Sequence, residues 1–163
     1  MSVQIKLERE VREVIKKNRW LTLSTTSRKG VPQSSVVIYA SNGYIIYMLT
    51  GKNTAKARNI SNKCRVSVTI PFYLNYLHRM IPFAPPAAIS FGARAEVLGF
   101  SDGEPSELYK KALNFDLPEN VEEDSVWLRL TPGHLVTCHG VAVSLFELRD
   151  PLKAHKIIKL SKQ

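Results

Sequence analysis

Apolar residues recur at Val3, Leu7, Val11, Val14 and Ile15, with charged residues between them. This spacing predicts an amphipathic helix over residues 3–17, with one face reserved for packing. Asn18 and Arg19 close it. From Trp20 the period changes: Trp20-Leu21-Thr22-Leu23-Ser24-Thr25-Thr26 alternates apolar with hydroxyl-bearing positions, as a strand with one buried face does. Ser27 to Gly30 reads as a turn, and Val31 to Ala40 as the returning strand, with Pro32 near its start indicating a sheet edge or a strand entry. Asn42-Gly43 is a strong hairpin signal. It predicts that Tyr44 to Leu49 runs antiparallel to the second strand, making a three-stranded meander. Arg65 to Ile70 alternates again as a fourth strand.

Residues 71–88 break the pattern with four prolines, two tyrosines and two phenylalanines. They read as a long, partly apolar connection, either a lid or interface element or a structural loop. Ile89 to Phe100 is a fifth strand in which Gly92 marks a bulge or a close backbone approach. A short helix is expected over Pro105 to Asn114, capped by Asp102 or Ser106. An acidic loop from Pro118 to Asp124 precedes a sixth strand, Val126 to Thr131. Pro132-Gly133 reads as a turn, Leu135 to Leu148 as a seventh strand-like stretch, and the tail from Asp150 as partly helical and basic. The sum is one antiparallel β domain covered by an N-terminal helix. Six or seven strands with short hairpins favour a barrel, because closure removes exposed edges.

The 163 residues suffice for one domain with its own core. No apolar run approaches the roughly 18 residues of a spanning helix, and the charged N-terminus lacks the apolar centre of a secretion signal. Cys64 and Cys138 stand far apart, in no metal-like or CxxC spacing. A reduced, cytoplasmic setting is the expectation, with no membrane partner. The net charge of +9 points to nucleic acid, an anionic surface or an anionic small molecule. No basic stripe interleaved with aromatics singles out nucleic acid, so the excess reads first as solubility and second as attraction to a phosphorylated ligand.

The chemistry-bearing residues are few. His78, His134, His139 and His155 form no set with metal-ligand spacing. Cys138 and His139, as strand neighbours, point apart, which removes them as a nucleophile–base pair. GxGxxG, GxxxxGK[ST] and GxSxG are absent. One concentrated anion site is left, in Tyr44 to Asn62. There an apolar strand ends at Thr50-Gly51 and gives way to Lys52, Thr54, Lys56 and Arg58. Thr54 can cap a helix whose open N–H groups, with the flanking ammonium groups, suit a phosphate. The competing interpretation is a solvated basic helix over one end of the sheet. A chain with a phosphate site and few acid–base groups fits a protein whose chemistry resides in a cofactor.

These features, in order, resemble the pyridoxamine-phosphate-oxidase-like, FMN-binding split-barrel superfamily. The likeness rests on the helix and the WLTLSTTS strand, Gly30-Val31-Pro32, and the strand ending at Tyr47 to Thr50. It continues through Thr54-Ala55-Lys56-Ala57-Arg58-Asn59, Arg65 to Ile70, Gly92 to Val97, and Trp127 to Pro132. The resemblance covers about residues 10–135. It implies a Greek-key split β-barrel that forms a homodimer with two FMN molecules between subunits. On that basis Lys56, with Lys52 or Arg58, holds the phosphate, and Thr50 and Thr54 add donors. The strand carrying Ser34, Ser35, Val36 and Val37 runs beneath the isoalloxazine ring and bonds its edge through backbone groups. Arg58 has an alternative role in a dimer salt bridge. The resemblance implies an oxidoreductase acting on a small-molecule substrate, with no residue nominated as acid or base. The alternatives are a deazaflavin-dependent reductase on the same fold and a non-catalytic flavin- or haem-binding protein, the last drawing on His78, His134 and His139. The oxidase's C-terminal substrate motif is not recognisable in SLFELRDPLKAHK (residues 144–156), and residues 71–88 exceed what a minimal member needs.

Overall fold

In the computed structural model, residues 3–80, 86–101, 103–114, 116–117, 121 and 123–160 are described. The expected helix forms at Val3–Lys17 (α1). Val11 and Ile15 on its inner face are fully buried, and Leu7 and Val14 pack on the same core. The helix carries two i,i+4 ion pairs, Glu8–Arg12, part-buried with Arg12 over the Tyr44 ring, and the exposed Glu13–Lys17. Asn18 ends it by donating its side-chain amide to the Val14 carbonyl at 2.8 Å. Buried Tyr39 donates its hydroxyl to the Ile15 carbonyl at 2.8 Å, pinning this end of α1 to the sheet.

Among the described residues eight antiparallel strands make one curled sheet: β1 (Trp20–Thr26), β2 (Pro32–Ile38), β3 (Ala40–Ser41), β4 (Ile46–Gly51), β5 (Arg65–Phe72), β6 (Ala87–Leu98), β7 (Ser125–His139) and β8 (His155–Lys159). Their order is β2-β1-β5-β6-β7-β4-β3, with β8 added alongside β7. The architecture is the split barrel expected, with more strands than the six or seven read from the sequence. Helices α2 (Ala55–Asn62), α3 (Tyr76–Met80), α4 (Gly103–Leu113) and α5 (Pro151–Ala154) lie between strands.

Among the described residues β2 pairs only with β1, from Trp20↔Ile38 to Thr26↔Pro32, so Pro32 opens an edge strand as its missing N–H requires. The meander does not continue through β4. The hairpin at Asn42-Gly43 exists: Asn42 Oδ1 accepts from the Tyr44 and Ile45 amides, and Gly43 adopts φ +101°. It joins β4 to the two-residue β3, however, and β4's long partner is β7, from Ile46↔Leu130 to Gly51↔Ser125. The physical reason is burial. Ile46, Tyr47 and Met48 are all fully or almost fully enclosed, so β4 belongs inside a sheet, and an edge hairpin cannot supply a neighbour on each side.

Pro132-Gly133 is likewise no turn. β7 runs through it for 15 residues, and the register against β6 shifts between Phe91 and Ala93. A Cβ on Gly133 would stand 3.1 Å from the Gly92 carbonyl oxygen, so these two glycines let the backbones close at a bulge, as Gly92 predicted. In the 71–88 connection, β5 extends to Phe72, α3 occupies Tyr76–Met80 and β6 starts at Ala87; residues 81–85 lie outside those described. So do Asp102, proposed as a cap for α4, and Pro118 to Asn120 and Glu122 of the acidic loop.

Leu21, Leu23, Val68, Ile89, Val136 and Ile158 fill the concave side with α1. On the opposite face the register places Val36, Thr22, Thr69, Ser90, Thr137 and Ile157 in one row across six strands. That row carries no charge, although the chain has 23 basic and 14 acidic residues to distribute. A second small core forms under α4, where Tyr109 meets the buried Trp127 ring edge-on at 5.2 Å and Phe100 stacks on it at 6.1 Å.

Candidate functional site

The strand–helix junction read from the sequence is formed by β4 and α2. Thr54 caps α2 in extended conformation (φ −74°, ψ 152°), its Oγ1 accepting from the Ala57 amide at 3.4 Å and donating to the Gly51 carbonyl at 2.9 Å. Thr50 lies beside it, Oγ1 to Oγ1 3.2 Å. Because Thr54 donates to Gly51, Thr50 is the donor of that pair. Lys56 folds back over the first turn and brings Nζ to 3.4 Å from Thr50 Oγ1. One ammonium, two threonines and the first-turn N–H groups, which have no carbonyl partner within a helix, therefore converge on one spot. Such a spot attracts an anion.

The other two cations point elsewhere. Lys52 donates its Nζ to the Glu123 carbonyl and its backbone amide to the Asp124 carbonyl at 2.7 Å, tying the loop after β4 to the start of β7. Arg58 donates a guanidinium N–H to the Asn53 carbonyl, closing the loop that precedes α2. The field of both still reaches the cap, but their charged ends are spent on backbone carbonyls.

Facing Lys56 across a cleft of about 300 Å³ stands the start of β2. Thr25, Gln33, Ser34, Ser35, Ala55 and Lys56 line this cleft, and none of them is acidic. Ser34 is held by a 2.7 Å hydroxyl–hydroxyl bond to Ser24, its partner on β1. Further along, Val36 is 69% exposed in the uncharged row of the outer face, whereas Val37 points inward and packs on the core. As the end strand, β2 leaves alternate backbone N–H and C=O groups on its far side without a sheet partner.

Three residues to which the sequence reading gave no role complete the site. Asn59, near the end of α2 and 7% exposed, donates its side-chain amide to Thr25 Oγ1 on β1 and to Gln33 Oε1 on β2, each at 3.0 Å. An asparagine inside a short helix, three residues after the site lysine, was the available signal. It is a poor helix former, retained where its amide has work to do.

The remaining candidates separate from this cleft. His78 is fully buried in α3, its Nδ1 accepting from the Leu74 amide at 3.0 Å and its ring edge-on to Tyr73 at 5.4 Å. Burial pushes the Cys138 thiol up to about 12, against an ordinary value of 9.0, with Lys156 drawing it back slightly. Such a thiol does not ionise for nucleophilic attack at neutral pH. Among the described residues no three or more His, Cys, Asp and Glu side chains group to hold a metal ion. A larger hollow of about 530 Å³ lies between α1 and the Phe72–Leu74 and Gly140–Ala142 segments, at the opposite end of β1 from the cleft. Its rim mixes Arg9 and Lys17 with Glu10 and Glu13, so it lacks the one-signed field of the cleft.

Comparison with known proteins adds a family. The family model for pyridoxamine 5'-phosphate oxidase matches residues 7–138. No curated protein matches the sequence. Among solved structures, the haem storage protein HutZ from Vibrio cholerae is similar with a TM-score of 0.63 at 20% identity, covering 83% of this chain and 96% of that one. General stress protein 26 from Bacillus anthracis str. Sterne has a TM-score of 0.63 at 18% identity, over 94% and 98% of the two chains. An F420 reductase has a TM-score of 0.57 at 17% identity, over 75% and 92%. At these identities the likeness is one of fold.

Proposed function

This chain belongs to the pyridoxamine 5'-phosphate oxidase family, and from that premise we propose that it is an FMN-binding oxidoreductase acting on a small-molecule substrate as a homodimer in the cytoplasm. The observation that carries the proposal is the convergence of Lys56, Thr50 and the Thr54-capped turn beside an acid-free cleft that opens onto an edge strand.

The donor set suits a dianionic phosphate. Lys56 supplies the opposing charge and the start of α2 its N–H groups; Thr50 and Thr54, whose hydroxyl protons go to Thr54 Oγ1 and the Gly51 carbonyl, hold the turn open. Lys52 and Arg58 add field from a distance. On the other wall, Ser34 to Val37 offer the far side of β2 to the edge of a planar ring. Bound flavin would supply hydride transfer; the chain's part is anchoring, orientation and exclusion of water. The uncharged row across the outer sheet face, which ends on the exposed Val36 and Ile157, is the surface a second copy would cover. Val36, exposed beside the cleft, would then be enclosed between subunits.

The deazaflavin coenzyme is the second reading, favoured by the likeness to an F420 reductase. Of the histidines a haem reading draws on, His78 is turned into the protein with Nδ1 engaged, whereas His134 is exposed and His139 half-buried. Neither nucleic acid nor membrane enters the proposal; no helix among the described residues is long and apolar enough to cross a bilayer.

Titration with FMN and with the deazaflavin coenzyme, followed by visible absorption and fluorescence quenching, tests the reading. Sedimentation of the same samples reports the assembly. The expected result is one FMN per chain on a dimer. A colourless, monomeric protein that takes up neither cofactor overturns it.

A further inference from the structure

We infer that Asn59 is a positioning residue that sets the gap between the anion cradle on α2 and the wall formed by β2, so that one ligand can engage both. The inference rests on the reading of the cleft as a site for a phosphate joined to a ring.

The warrant is the placement of the Asn59 amide. It lies three residues from Lys56, on the same side of the helix. Both hydrogens of Nδ2 are used, one on Thr25 Oγ1 of β1 and one on Gln33 Oε1 of β2. The other enclosed α2 residues, Ala57 and Ile60, are apolar. Packing of that kind holds the helix against the sheet but does not fix its slide along the strands, whereas two directed bonds to adjacent strands do. A buried amide is costly unless bonded, so this one is anchored wherever its partners go. Thr25 and Gln33 also line the cleft together with Lys56. The strut and the cleft therefore share residues, and the distance from Lys56 to Ser34 and Ser35 is set through Asn59.

A ligand that spans both walls gains from their fixed separation as any two linked binding groups do. FMN uses both walls, riboflavin only the β2 wall, and inorganic phosphate only the cradle. Asn59→Ala is expected to weaken FMN binding by roughly 10- to 100-fold while shifting riboflavin and phosphate by less than about threefold, because the lost quantity is the advantage of linkage. A loss of fold alone would lower all three together, so the FMN-to-riboflavin affinity ratio separates positioning from stability. Gln33→Leu, at an exposed position of the edge strand, removes one of the two bonds. It is expected to lower the ratio by about three- to tenfold.

All three ligands are titrated calorimetrically against the full chain and both variants. A ratio unchanged in both variants, with the wild type preferring FMN, overturns the inference and leaves the phosphate reading intact. A wild type that binds FMN no better than riboflavin overturns both. Should Asn59→Ala not fold, Gln33→Leu decides the matter by the same ratio.

Discussion

Replacing Lys56 by alanine removes the cation that folds over the first turn of α2. At about 4 Å a unit charge pair is worth roughly 4 kcal/mol at an effective dielectric near 20. Lys56 is only half-buried, and a charge-assisted hydrogen bond of this kind nets about 1.5–3 kcal/mol. Converted at about 1.4 kcal/mol per decade, the expected loss is roughly 10- to 100-fold in FMN affinity. Lys159→Ala, on the exposed side of β8, serves as the matched control and should change affinity less than about twofold. Lys56→Arg should retain part of the binding, since charge is kept while the reach changes. The assay is quenching of flavin fluorescence at two ionic strengths. Raising salt from about 0.1 M to 1 M shortens the screening length from about 10 Å to 3 Å, so wild-type affinity should fall more steeply than that of Lys56→Ala. Equal affinity and equal salt slope in Lys56→Ala and Lys159→Ala would refute the placement of the phosphate.

Two further expectations concern the scaffold. Gly140 adopts φ +88°, and a Cβ there would stand 2.7 Å from both Ala87 Cβ and Leu148 Cδ1. Gly140→Ala should therefore cost about 2–4 kcal/mol from overpacking and backbone strain. Gly30→Ala, at φ +87° in open space, should cost only the backbone part, roughly 1–2 kcal/mol; equal shifts in the urea midpoint would exclude the packing term. For the thiols, exposed Cys64 should react with a disulfide reagent in the native protein and buried Cys138 only after denaturation. Burial also pushes the Tyr39 phenol upward, with Arg19 opposing, alongside the Cys138 thiol raised to about 12. Both groups ionise more readily when unfolded, so their contribution is whole below the unfolded values and is lost as pH rises through the folded ones. Thermal stability should accordingly decline above about pH 9, and Cys138→Ser should remove part of that slope.

Elements defined by their own residues were legible in the sequence. α1 and β1 needed only periodicity, the Asn42-Gly43 dipeptide marked a hairpin, Pro32 alone announced an edge, and Gly92 a bulge. Pairings that depend on distant partners were not. Nothing local to Ile46, Tyr47 and Met48 says that their neighbour is β7. Pro132-Gly133 has the composition of a turn, and only Gly92 lying opposite makes it a bulge. His155 to Lys159 hides a strand behind its charge because one side chain, Ile158, does the burying. The site divides the same way. Thr54 and Lys56 form the junction that local chemistry suggested, whereas the committed ends of Lys52 and Arg58 depend on which carbonyls the fold brings within reach. Asn59 was invisible as a strut because Thr25 and Gln33 come from two other elements.

The pairing of β4 with β7 has a consequence for the order of events during synthesis. Thr50 and Gly51 are held in line by Val126 and Ser125, and Lys52 by the Asp124 carbonyl, residues that leave the ribosome much later. The strand that delivers Thr50 has no long neighbour until β7 is made. A ribosome-bound chain ending before Ser125 would thus display the lysine without a fixed threonine beside it. The threonine side of the cradle is therefore completed only with β7.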